Sequence, residues 1–220
     1  MTDYAAARLS MVEGQLRTNK VTDEAVLDAF LAVPRERFVP TTLRGSAYVD
    51  DDLPLGRGRW LMEPMVLARL LQLAAIRRDD KVLEIGCATG YATALLTRMA
   101  EDVTALECDP EFAAVARRFL GAFATCVVEG ELAAGWPPKQ PYDVILFSGG
   151  VAAIPPAVAA QLGEGGRLVA VVIAENGGLG AGLGEAVVMT RAEGVLSRRP
   201  VFDAAVPVLP GLARAPGFVF

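Results

Sequence analysis

The sequence predicts an α/β fold: a doubly wound, mostly parallel sheet covered by helices on both faces, with a helical extension ahead of it. Three observations predict it. From Lys81 onward, short apolar runs alternate with segments of helical length, the signature of βαβ units. The first of these runs, Lys81–Ile85, meets a glycine turn and then a helical pattern. The chain has 220 residues, of which 53% are hydrophobic, enough for one domain with a substantial core. No internal repeat and no linker divides it, so residues 1–220 read as one unit. Within it, 1–64 form the extension, 65–175 the core of the fold and 176–220 C-terminal strands.

The extension opens with Leu9, Val12 and Leu16 at helical spacing. Thr22 is placed to cap a second helix, whose first turn carries Asp23 and Glu24 where the helix dipole favours acids. Pro34 ends that helix, and Pro40 and Pro54 keep the stretch between them irregular. A further helix runs from Pro64 or Met65 to about Ala75, since proline is accepted in a first turn. The alternating region then reads as strand Lys81–Ile85, helix Tyr91–Met99, strand Val103–Leu106, helix Pro110–Gly121 and strand Cys126–Glu129. Strand Tyr142–Phe147, helix Pro155–Leu162 and strand Arg167–Ala174 follow. Gly177–Gly184 reads as a flexible turn into strand Ala186–Thr190. Val201–Leu209 completes a set of seven strands, and its Pro207 confines it to an edge or a bulge. The closing Pro216–Phe220 segment is expected to dock its aromatics on the body.

Composition removes several chemistries. There is no histidine, so Ser-His-Asp and Cys-His catalysis, histidine bases and histidine metal sites are absent. Cys87, Cys108 and Cys126 form no CxxC pair and cannot all pair with one another, which points to reduced thiols and a cytoplasmic setting. Cys87 and Cys108 read as small fillers rather than nucleophiles. The formal net charge of −5 lacks the basic footprint of a nucleic-acid binder. The longest apolar run, Leu168–Ala174, is far below the roughly 20 residues of a membrane span. The first residues lack the pattern of a secretory signal.

The most informative segment is Val82-Leu83-Glu84-Ile85-Gly86-Cys87-Ala88-Thr89-Gly90-Tyr91. Glycines where a strand turns into a helix let a ligand approach the backbone, with helix N–H groups facing it. A dinucleotide G-x-G-x-x-G would need glycine at Ala88 and Tyr91, and neither is there. The pattern is E-x-G-x-x-x-G, followed by Glu107 at the end of the next strand, where a carboxylate suits a ribose diol. Glu84 and Glu107 together suit a cationic ligand better than a pyrophosphate, and S-adenosylmethionine carries a sulfonium, an ammonium and a ribose. The competing reading is an ordinary strand–turn–helix glycine beside two solvated glutamates. Glu129-Gly130-Glu131 adds a carboxylate able to accept from an adenine amino group, or simply a surface charge pair.

These residues resemble the protein-L-isoaspartate O-methyltransferases, class I enzymes with a Rossmann-like sheet that use S-adenosylmethionine. Met11–Arg17, Val33–Pro40, Ala47–Asp50 and Leu53–Gly56 look like the family's N-terminal signature. Val82–Tyr91 resembles its cofactor loop, and Gly130-Glu131 its Gly-Asp-Gly. Gly135-Trp136, Tyr142–Ile145, Ile154-Pro155 and Gln161–Val169 continue the likeness, which covers roughly 11–173. The resemblance implies cofactor contacts at Glu84, Gly86, Cys87, Gly90, Glu107, Cys108, Gly130 and Glu131, no metal, and an isoaspartyl protein or peptide, or a small molecule, as partner.

Three departures stand out. Ala88 replaces a glycine and Glu131 an aspartate. The family's Gly-Gln-Thr-Ile-Ser-Gln-Pro becomes Gly58-Arg59-Trp60-Leu61-Met62-Glu63-Pro64, so Met62 takes the serine position and Trp60 the threonine position. Met62 and Glu63 thus stand in the substrate motif without its hydroxyls. Methyl transfer rests on alignment, and a carboxylate nucleophile needs no general base, so the lack of histidine is no obstacle. A second negative charge at Glu63 would oppose a carboxylate by roughly 4 kcal/mol at 4 Å and an effective dielectric of 20, unless Arg44, Arg57 or Arg59 offsets it. The expected function is carboxyl methylation of damaged aspartyl residues. The alternatives are a cationic or amine acceptor, or a non-catalytic protein that binds S-adenosylmethionine or S-adenosylhomocysteine.

Overall fold

The computed structural model describes residues 3–174 and 182–214; the expected docking of Pro216–Phe220 and most of the expected Gly177–Gly184 turn lie outside them. Helix α1 (Tyr4–Met11) starts at Asp3, whose carboxylate accepts from the Ala5 and Ala6 amides. It continues as a π-helical turn, Val12–Leu16. That wider turn brings Met11, Val12 and Leu16 into the core, while Leu9 is 52% exposed. The expected regular spacing therefore holds for two of its three residues. Helix α2 (Glu24–Ala32) is capped by Asp23 rather than Thr22, with the Asp23 carboxylate accepting from Ala25 and Val26 N–H. The Thr22 amide donates instead to Gln72 Oε1 at 2.7 Å.

The stretch expected to be irregular, between Pro40 and Pro54, holds the 3₁₀ turn Thr41–Ser46; a second such turn, Arg35–Arg37, precedes it, and a small antiparallel hairpin, β1 (Leu53–Gly56) and β2 (Arg59–Leu61), begins at its end. Its turn places Gly56, Arg57 and Gly58 all at positive φ. Helix α3 (Pro64–Ala74) follows, with Pro64 in the first turn, as its fixed φ allows.

The main sheet has seven strands in the order β5-β4-β3-β6-β7-β8-β9. These are β3 (Lys81–Ile85), β4 (Asp102–Glu107), β5 (Val127–Glu129), β6 (Tyr142–Val151), β7 (Leu162–Ile173), β8 (Gly182–Ala192) and β9 (Val195–Val206). Pairing is parallel from β5 through β7 and antiparallel for β8 and β9. Helices α4 (Tyr91–Met99), α5 (Pro110–Leu120) and α6 (Pro156–Ala159) connect the strands. Helix α6 is one turn, shorter than the expected Pro155–Leu162, because Leu162 is already pairing with Tyr142 as β7 begins. Strand β9 stops before Pro207, at the edge the proline demands, and a bulge at Val201 separates Phe202 from Pro200.

Strand alternation distributes the core between two faces. Val82, Val144, Leu146, Val169 and Val171 pack with α3, α4 and the N-terminal helices. Leu83, Ile85, Ile145, Phe147, Leu168 and Ala170 pack on the other face, with Leu209 and Leu212 from the segment after β9. Connections leave β3 in one direction to β4 and β5, then return to β6 on its other side. The C-terminal ends of β3 and β6 therefore flank the crevice where such sheets bind ligands.

Candidate active site

The turn after β3 is built around Glu107. Gly86, Ala88 and Gly90 adopt φ values of +83°, +48° and +89°, a run that glycine permits and alanine resists. This coil points the Ala88 N–H at Glu107 Oε2, 2.7 Å away. Glu107 Oε1 accepts from the amides of Cys108 and Asp109 at 2.9 and 3.1 Å. The carboxylate is fully buried.

Glu84 is equally buried but serves a different purpose. Its two oxygens accept from Ser148 Oγ at 2.7 Å and Thr93 Oγ1 at 2.6 Å, tying β3 to β6 and α4. Burial pushes its carboxyl up to about 7, against the opposing pull of those two hydroxyls. Glu84 and Glu107, expected to suit a cationic ligand together, thus have separate partners, and a cation lies against Glu107. The cation there belongs to the chain: Arg59 Nη2 lies 3.0 Å from Oε2 and Nη1 lies 3.2 Å from Oε1. Arg59 Nη2 also donates to the Gly86 carbonyl at 2.8 Å.

Leu209 fills the space beside it. A Cβ at Gly86 would come within 2.7 Å of Leu209 Cδ2, and one at Gly149 within 2.8 Å. Among the described residues, two cavities of about 10 Å³ lie here, one bordered by Met62, Glu84, Gly86 and Ser148, the other by Arg59, Trp60, Gly149 and Leu209. Each has room for about one water, whereas pockets for small ligands run to about 300–1,000 Å³. The donor and acceptor set fits a nucleoside with a ribose diol. The space that such a ligand needs is taken by Arg59 and Leu209.

Of the other expected contacts, Gly130 donates its N–H to the Glu107 carbonyl at 3.0 Å, and a Cβ there would lie 3.5 Å from the Trp136 ring. Glu131 is exposed at the start of the Leu132–Ala134 turn. Cys87 is buried, and burial foremost, then Glu84 and Glu107, drive its thiol well up; the Cys108 thiol is raised by burial and by Glu107. Neither sulfur is a poised thiolate.

On the acceptor side, Met62 is buried and its carbonyl accepts from Arg35 Nη2 at 2.8 Å. Glu63 is half-buried, and its amide donates to Asp52 Oδ1 at 2.8 Å. Burial first, then Asp52, Asp50 and Asp51, push Glu63 up to about 7, and burial raises Asp52 to about 6. Two of the three expected arginine partners are engaged elsewhere: Arg57 binds Asp109 at 2.6 Å and Arg59 binds Glu107. The cation whose field opposes those carboxylates at Glu63 is the fully buried Arg35. Ser148, Arg35 and Leu209 went unrecognised in the sequence as parts of this site. Ser148 had one visible signal, a hydroxyl directly after an apolar strand at a strand tip.

The model of the protein-L-isoaspartate(D-aspartate) O-methyltransferase family matches residues 8–179. A protein-L-isoaspartate O-methyltransferase from Methylorubrum extorquens (strain PA1) is 45% identical over 169 residues, covering 76% of this chain and 74% of the relative. One from Koribacter versatilis (strain Ellin345) is 41% identical over 172 residues, 77% and 78% of the two chains. Among solved structures, a protein-L-isoaspartate O-methyltransferase superposes with a TM-score of 0.78 at 24% identity, over 94% of this chain and 67% of its own. A Plasmodium falciparum structure in complex with S-adenosyl-L-homocysteine gives 0.77 at 15%, over 95% and 99%. These two likenesses speak for the fold, a class I Rossmann-like methyltransferase sheet. With the family match spanning most of its length, the chain belongs to the protein-L-isoaspartate(D-aspartate) O-methyltransferase family.

Proposed function

We propose that the chain is an S-adenosylmethionine-dependent methyltransferase acting on the carboxylate of isoaspartyl residues in proteins or peptides. The observation that carries this reading is Glu107, a buried carboxylate held by three backbone amides at the switch point of the sheet. Glu107 would hold the ribose hydroxyls, Gly86 and Gly90 would let the nucleoside approach the turn, and Gly130, Glu131 and Trp136 would border the base. S-adenosylmethionine supplies an electrophilic methyl group there. The work of the chain is then alignment, and an ionised acceptor needs no base to activate it. We assign residues 1–220 to one catalytic unit, because N-terminal helices and sheet share one core. No helix among the described residues is long and apolar enough to cross a membrane, and the unpaired cysteines fit a cytoplasmic protein.

Met62 offers the acceptor no hydrogen bond. Glu63 can replace the lost hydroxyl only when protonated, since a neutral carboxyl donates and a carboxylate only accepts. With Glu63 raised to about 7, isoaspartyl methylation is expected to increase as pH falls through 7, and Glu63→Gln should remove that dependence while retaining a donor. The acidic group of Asp50, Asp51, Asp52 and Glu63 favours a second reading, a cationic or amine acceptor, for which turnover would instead rise with pH as Glu63 ionises. Transfer of labelled methyl groups to an isoaspartyl peptide, with the aspartyl peptide and an amine-bearing peptide as controls, separates the two. Absence of label on all three would leave the methyltransferase reading without support.

A further inference from the structure

We propose that Arg59 and Leu209 are an internal competitor for the nucleoside site and set its affinity, so that ligand binds only when both side chains withdraw. The proposal deepens the methyltransferase reading and rests on it. A carboxylate has about four acceptor sites. At Glu107 the Ala88, Cys108 and Asp109 amides use three, the Cys108 thiol lies 3.5 Å from Oε1, and the Arg59 guanidinium covers the side that is left. A ribose diol needs the face of Glu107 that the guanidinium now covers. The guanidinium reproduces the donor pattern such a ligand would bring: two N–H groups toward one carboxylate, and a further donor on the Gly86 carbonyl. Gly86 and Gly149, whose missing side chains would admit a ligand, are instead met by Leu209.

The two blocking residues arrive from opposite ends of the chain. Arg59 lies on the β1–β2 hairpin, which forms a two-stranded sheet of its own, apart from the seven-stranded one. The hairpin is latched by Arg57, whose guanidinium binds Asp109 at the start of α5 at 2.6 Å and Glu111 at 3.4 Å. The turn has open space around Gly56 and Gly58, and the Arg57 side chain is 55% exposed, so water reaches these ion pairs. Leu209 belongs to the segment after β9, held to β6 by Gly150 N–H to the Pro207 carbonyl and Leu209 N–H to the Gly150 carbonyl, both 2.9 Å. This segment lies beyond residue 179, where the family match ends. Both Arg59 and Leu209 are buried, so each must leave a packed position for a ligand to enter.

The test is calorimetric titration of S-adenosylhomocysteine, which needs no turnover, into the full-length chain and its Arg59→Gln, Leu209→Ala and Arg59→Lys variants, each checked for a cooperative melt. Arg59→Gln and Leu209→Ala are each expected to bind at least tenfold more tightly than the parent chain. Arg59→Lys, which keeps a cation on Glu107, should stay within about threefold of it. Leu209→Ala changes no charge, and so decides the matter if Arg59→Gln fails to fold. Equal or weaker binding by Arg59→Gln and Leu209→Ala, with measurable binding by the parent, overturns the competitor and leaves the methyltransferase reading standing. Absence of binding by every form overturns both.

Discussion

Ala88 shows how a single residue can carry strain for a site. Its φ of +48° places an L-residue in the left-handed region, at about 1–2 kcal/mol, and its N–H is aimed at Glu107 as a result. Ala88→Gly should therefore raise stability by about 0.5–1 kcal/mol after the entropy cost of glycine is subtracted, seen as a higher urea midpoint with an unchanged slope. Glu107→Gln should act in the opposite direction. It leaves the Arg59 guanidinium buried against a neutral amide, and loss of one partner of such a pair costs about 3–5 kcal/mol; the same urea titration measures it. Ala88 was visible in the sequence as a member of the turn and Glu107 as the end of the next strand. Arg59 was visible only as a possible counter-charge for Glu63; its place at Glu107 depends on the β1–β2 hairpin.

At the scale of elements, local rules explain most of what forms. The cap of α2 shows one of them at work: Asp23 accepts from two amides of the first turn, so Asp23→Ala should cost about 1 kcal/mol, read from thermal unfolding. The sequence pointed to Thr22 because both residues can cap, and only the tertiary bond from the Thr22 amide to Gln72 decides between them. The parallel strands were legible because each is an apolar run beside a helix pattern. The β1–β2 hairpin was not, since three of its seven central positions are Pro54, Gly56 and Gly58, residues that read as breakers. Helix α6 was overestimated for a related reason: pairing of Leu162 with Tyr142 outweighs its helical continuation.

Over the whole molecule, buried acids link stability to pH. Glu84 and Glu63 rise from 4.5 to about 7, and Asp52 from 3.8 to about 6. A carboxyl raised on folding holds its proton more tightly in the native state, so its contribution is complete below the unfolded value and is lost as pH climbs through the folded one. Stability should fall between about pH 4.5 and 7, by about 3 kcal/mol for fully buried Glu84 and by less for half-exposed Glu63. Glu84→Gln should flatten that slope in guanidinium titrations across the range. Such coupling was invisible in the sequence, where Glu84 read as a ligand contact; only packing turns it toward Thr93 and Ser148. The layout of sheet and switch point was legible, whereas the way the two ends of the chain converge on it was not. Arg35 adds a consequence of its own. Its guanidinium grips Met62 and Ala47 through their carbonyl oxygens, at 2.8 and 2.7 Å, and every amino acid supplies that oxygen. The grip on position 62 thus survives any exchange of its side chain, so one codon change there can trial a different methyl recipient at the cost of the packing that buried Met62 supplies.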